Sequence, residues 1–182
     1  LRSLKPLRKD ISFQVNIVLE EKMRGLITFR APYYLCFYSE KKDGYLENAG
    51  YILQQMDLYF SAIGIGSCWL GMAKPPKELM ETETGLNYII MLAFGSTQEP
   101  LYRQSLDEFK RKGLVEICDI ADGEEILEPV RLAPSGINNQ PWFFFGTSRE
   151  ILISRKAQSL IKKIIYDRLN KVDMGIALYH LY

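Results

Sequence analysis

The sequence predicts an α+β domain, and three observations carry that expectation. Two aromatic, apolar runs read as buried strands, Pro32–Ser39 and Trp142–Gly146, the second directly behind Pro141. A third run, Tyr88–Gly95, is the clearest strand in the chain. Between them, Leu46–Ile63 places Leu46, Ala49, Ile52, Leu53, Met56, Tyr59, Phe60 and Ile63 on one helical face. With 182 residues the chain suffices for one domain with a sizeable core.

The other elements come in order along the chain. Arg2–Lys9 is basic and reads as a loop, and Ile11–Glu20 alternates in part, as a strand or a ragged edge. Asp43-Gly44 breaks the chain before the long helix, and Gly64-Ile65-Gly66 ends it. Ser67–Ala73 reads as a compact apolar turn, and Pro75-Pro76 opens a short helix over Lys77–Thr82. Ser105–Arg111 is a short helix and Ile117–Gly123 a linker. Glu124–Leu132 is helical, with Pro129 late within it. Ile151–Ser154 pairs with Trp142–Gly146 as a hairpin, and a final helix begins at Val172 or Asp173. The run at Arg30–Ser39 echoes the one at Asn139–Ser148, and Asp173–Ala177 weakly echoes the glycine-ended helix. A duplicated half-unit and the shared composition of buried strands both explain this.

Composition narrows the function. Lys plus Arg is 23 and Asp plus Glu is 22, for a net charge of +1, which argues against a nucleic-acid binder. Cys36, Cys68 and Cys118 are odd in number and far apart, so neither a disulfide framework nor a zinc site is expected, and a reducing cytoplasm is the simplest setting. No run approaches the ~18 apolar residues of a membrane span. His180 is the only histidine, which leaves a triad without support, and no phosphate-binding glycine loop or metal spacing is present. The chain opens on Leu1 and stops inside an apolar periodic run, so further residues are expected beyond both ends.

Two segments could carry chemistry. Ala133–Trp142 sets hydroxyl, amide and small residues between two prolines, and could cradle a polar, planar ligand edge. The same residues are the commonest turn formers, so a stiffened helix-to-strand connection is the plainer reading. Gly64–Ala73 is apolar and glycine-bearing, and could lie flat against an aromatic ring or merely cap a helix and pack. Arg103 and Lys110-Arg111-Lys112 offer a phosphate site or a solvated basic face. Cys68 reads as a reactive thiol or, more commonly, as a core residue.

Together these segments resemble the FMN-dependent nitroreductase family. Pro134, Ser135, Asn138, Gln140, Pro141 and Trp142 keep the identity and spacing of its PSxxNxQPW loop, and Gly64–Trp69 is similar to its GxGSCW turn. Arg103 with Leu106-Asp107-Glu108-Phe109 is a weaker match to a late basic segment. The resemblance implies an antiparallel or mixed sheet with flanking helices, and a bound FMN that passes hydride from NAD(P)H to a small organic acceptor. It implies that Trp69 and Leu70 pack a ring face and that Gly71 or Met72 offers a backbone N–H near N5. The flavin's polar edge and side chain would fall to Ser135, Asn138 and Arg103, with Pro134, Gln140 and Ser67 also at the cofactor.

The order of the two motifs is reversed from the family's usual one, in which one subunit of a homodimer supplies the loop and its partner the glycine turn. This chain therefore resembles a subgroup in which two half-units, roughly 1–118 and 119–182, are fused into a pseudo-dimer that works as a monomer. The family's N-terminal Arg-Ser-x-Arg motif is matched only superficially by Arg2-Ser3 and is expected before Leu1. A flavin-binding protein without turnover on the same scaffold is the alternative.

Overall fold

The computed structural model describes residues 1, 3–23, 29–98, 100–121, 123–156 and 160–182, with backbone alone for 160–164. Arg2 of the superficial Arg-Ser match lies outside them. Strand β1 (Phe13–Leu19) pairs antiparallel with β2 (Tyr33–Ser39). Next come helix α1 (Tyr45–Ala62), strand β3 (Gly66–Leu70) and strand β4 (Asn87–Gly95). These strands form one antiparallel sheet in the order β1-β2-β4-β3.

The short helix α2 (Leu114–Ile117) runs into β5 (Cys118–Asp119), and α3 (Glu124–Arg131) comes next. Strands β6 (Trp142–Thr147) and β7 (Glu150–Arg155) form the expected hairpin, with β5 parallel to β6 in a second sheet. Helix α4 (Leu160–Leu181) closes the chain. The class is α+β, with one antiparallel and one mixed sheet, as expected. Among the described residues no helix is long and apolar enough to cross a membrane.

Burial explains the strands. Residues 34–39 of β2 and 88–93 of β4 are all buried, so both carry continuous apolar runs rather than alternation. Leu35, Phe37, Ile90 and Leu92 join one core with Ile52, Leu53, Trp142, Phe144, Val172 and Ile176, which ties both sheets and the helices α1 and α4 together. Cys36, Tyr38 and Met91 fill a second cluster.

Several elements differ from expectation. Ser67–Ala73 is not a single turn, because Gly66–Leu70 pairs with β4 and the chain turns only at Gly71-Met72. Its small and apolar residues mimic a turn because all five strand residues are only half-buried at a sheet edge. The helix read over Lys77–Thr82 is a single 3₁₀ turn over Lys77–Leu79, and that over Ser105–Arg111 is one over Leu106–Phe109. The last helix begins at Leu160, not at Val172 or Asp173. Polar residues at 162–163, 166–168 and 170–171 mask its apolar stripe, although Ile165, Leu169, Val172 and Ile176 continue at helical spacing. The linker read at Ile117–Gly123 contains β5, and its Asp122 lies outside the described residues.

Helices α1 and α4 pack at backbone contact. A Cβ on Gly50 would sit 2.0 Å from the Val172 carbonyl oxygen, and one on Gly175 would sit 1.9 Å from that of Glu47. The two contacts are reciprocal, since each glycine lies one turn after the residue whose carbonyl meets the opposite glycine. Only glycine permits this approach, and it draws α4 close enough to help line the site.

Candidate functional site

Strand β3 delivers the first part of the site. The Ser67 hydroxyl donates to the Asp57 carboxylate at 2.6 Å, which ties β3 to α1. Beyond Ser67 the chain leads Trp69, Leu70, Gly71, Met72 and Ala73 along a cavity of about 500 Å³. Gly71 packs against the Leu169 side chain, whose Cδ2 would have to shift to admit a Cβ at 2.7 Å.

The loop from α3 to β6 supplies Pro134, Ser135, Gly136 and Ile137 to the same cavity. Ile137, Asn138 and Gln140 adopt φ of 50°, 56° and 46°, left-handed values that a side chain rarely accepts. Such a cluster persists only where its surroundings over-determine it, and these clusters concentrate at functional sites. The holding groups can be named. Ser135 Oγ accepts from the Gln140 N–H at 2.9 Å. Gln140, only 1% exposed, accepts from the Lys112 N–H at 2.8 Å and donates to the Arg131 carbonyl at 3.2 Å. Asn138 donates to the Lys110 carbonyl at 2.9 Å and accepts from the Arg111 guanidinium. Asn139 donates to Asn170 on α4 at 3.0 Å.

Ile90, Leu169, Val172, Asp173 and Ile176 complete the lining with Phe29. Asp173 is the residue that sequence reading passed over. Its Oδ1 accepts from the Gly136 N–H at 3.0 Å, while its buried Oδ2 has no partner, as is also true of Trp69 Nε1. Burial pushes its carboxyl up to about 7 against the weaker opposing effect of the Gly136 bond. A charged residue inside the apolar run Val172–Leu178 was the signal available in the sequence.

Six of the residues singled out therefore meet at one cavity: Trp69, Leu70, Gly71, Met72, Pro134 and Ser135. Asn138 and Gln140 belong to the same loop, but their side chains secure residues 110–112 instead. Ser67 and Arg103 line a second cavity of about 540 Å³ with Arg111 and His180, and Pro134 lines both spaces. There the Arg103 guanidinium stacks on the Phe109 ring at 4.4 Å. His180 is pushed down to about 4 by burial and then by Arg111, so it is neutral at ordinary pH. Burial also raises the Cys68 thiol, which disfavours the reactive thiolate.

Comparison with known proteins agrees with the fold. The model of the family described as "Putative TM nitroreductase" matches residues 1–182. The crystal structure of a "putative nitroreductase" from Thermotoga maritima superposes with a TM-score of 0.62 at 25% identity, covering 98% of this chain and 67% of that one. None of the curated proteins compared with the chain matches it.

Proposed function

The chain belongs to the putative TM nitroreductase family, and from that premise we propose that it is an FMN-dependent oxidoreductase. One observation carries the proposal: the two motifs, far apart in sequence, line the same cavity. The residues there suit a flavin ring. A cavity of about 500 Å³ is in the range of small-molecule sites, apolar with a few polar groups. Trp69 Nε1, buried and unpartnered, leaves a donor for a planar ligand with polar edges.

FMN would supply the hydride-carrying chemistry between NAD(P)H and a small acceptor such as a nitro-aromatic or a quinone. The protein's own residues have simpler tasks. Trp69 and Leu70 pack a ring face, and Gly71 or Met72 offers a backbone N–H to its edge. Pro134 and Ser135 hold the loop against it, while Ile90, Leu169, Val172 and Ile176 keep water out. Asn138 and Gln140 act one step back, by fixing the strained loop. Arg103, with Arg111 beside it, offers cations for the phosphate in the adjoining cavity. No covalent nucleophile is needed.

The reading extends to a pseudo-dimer of two half-units that works as a monomer, with both motifs supplied by one chain. The reciprocal packing of Gly50 and Gly175 supports this, because a two-fold axis between α1 and α4 would produce that relation.

A visible absorption spectrum of the purified protein tests the assignment. A flavin spectrum bleached by NADH or NADPH is the expected result. Flavin that neither nucleotide bleaches would favour a binding protein without turnover, and no uptake of added FMN would overturn both.

A further inference from the structure

We propose that Asp173 is the proton donor of the cavity, delivering to the acceptor the proton that must accompany hydride. The proposal rests on the flavin reading of the site. Hydride addition to a quinone carries two electrons and one hydrogen to the substrate and leaves an oxyanion. The Asp173 O–H bond breaks, the substrate O–H bond forms, and the carboxylate regains its proton from water after product leaves. The reductant is the reduced nicotinamide, acting through the flavin.

Placement is the first argument. Asp173 is 4% exposed and is the only Asp, Glu, His, Lys, Arg, Cys or Tyr among the described residues that line the cavity. One oxygen is fixed by the Gly136 N–H, so the carboxyl has a set orientation beside the Pro134–Ile137 loop. The other oxygen has no protein partner and lies near Gly136, 3.6 Å from where its Cβ would be.

Charge is the second. Nearby ionic groups on its own helix are turned to other partners: Arg168 donates to the Ile89 carbonyl, and Lys171 pairs with Asp167 at 3.8 Å. On the loop, the Ser135 hydroxyl oxygen is taken by the Gln140 N–H. Across the interface, α1 presents Gly50 and the Glu47 carbonyl to this stretch of α4 rather than a cation. An unopposed, buried carboxyl holds its proton towards neutral pH, consistent with a value of about 7. A carboxylate paired with a cation could not do so. A purely structural aspartate would be expected to use both oxygens or to meet a cation.

The test compares the wild type with Asp173→Asn, which keeps an oxygen for the Gly136 N–H. FMN binding is followed by fluorescence quenching, turnover by NADH with menadione, and protonation of Asp173 by the carboxyl infrared band of the wild type. Both proteins are expected to bind FMN within about threefold of each other. The wild-type band should titrate near pH 7 and be absent from the variant. At pH 6 the variant should lose about a hundredfold in kcat, with a loss that shrinks as pH rises and the wild-type carboxyl ionises. Equal pH–rate profiles in two FMN-loaded proteins, or a wild-type band titrating near pH 4, would overturn the proton-donor role and leave the flavin assignment standing. Failure of the wild type to bind FMN would overturn both.

Discussion

Gln140 shows how a motif residue can matter without lining the cavity. Its buried amide joins two segments that would otherwise leave the Lys112 N–H and the Arg131 carbonyl without partners. Gln140→Ala should cost about 2–3 kcal/mol in urea unfolding and weaken FMN binding as the left-handed loop relaxes. Ser135→Ala removes one acceptor, from the Gln140 N–H, and should cost about 1 kcal/mol. The fluorescence titration should again show weaker FMN binding. Two buried ionisable groups set opposite pH trends. Asp173 holds its proton up to about 7 when folded, against an ordinary 3.8, so its contribution is intact below about 4 and falls as pH rises to about 7. His180 titrates near 4 when folded, against 6.5, so its contribution is intact above 6.5 and falls as pH drops towards 4. Each slope is at most about 1.4 kcal/mol per pH unit. Between about pH 4 and 6.5 they oppose each other, so each variant should unmask the other. The urea midpoint of Asp173→Asn should rise with pH across that window, and that of His180→Gln should fall. Parallel curves for the two variants would refute the assignment. Sequence made Ser135 and Trp69 legible because their spacing is a motif. It hid Asp173, whose role depends on a solvent-free position that no local pattern records.

At the scale of elements, the α1–α4 contact makes the sharpest claim. Gly175→Ala places a methyl carbon into the Glu47 carbonyl and should destabilise the protein by at least about 1–3 kcal/mol. Gly64→Ala meets open space and bears only the strain of a φ of 76°, so it should be the milder change in the same thermal melts. The strands β2 and β4 were legible because burial on both faces writes itself as unbroken apolar runs, and β6 because its aromatic run follows Pro141, although only Trp142 and Phe144 are buried. The first three turns of α4 were not legible, because polar residues outnumber its apolar stripe there. The edge strand β3 was missed for a related reason: five half-buried residues show neither alternation nor a continuous run that separates strand from turn.

For the whole molecule, the proposed single-chain site predicts one FMN per chain. Flavin titration combined with light scattering should give a ratio near one on a monomer, and Ser135 of a second chain at the flavin would contradict it. Bound FMN should also stabilise the fold, by about 2.7 kcal/mol at a hundredfold excess over Kd, because the cavity joins β3 and β4 to α4. The class was readable before any coordinates, from apolar runs and helical periodicity, whereas the pairing of the two motifs came from the family resemblance and not from spacing. Which of those residues face the cavity and which brace it was not readable, because Asn138 and Gln140 differ from Ser135 only in where the left-handed backbone turns them.

The glycine crossing also has a meaning for synthesis on the ribosome. Helix α1 emerges early, with Gly50 exposing a bare strip of backbone, and the helix that covers it is made only after both sheets. Until then its apolar face, with Ile52 and Leu53, waits uncovered in a nascent chain. The cavity can therefore close only late in synthesis, once α4 has emerged to supply Leu169, Val172, Asp173 and Ile176.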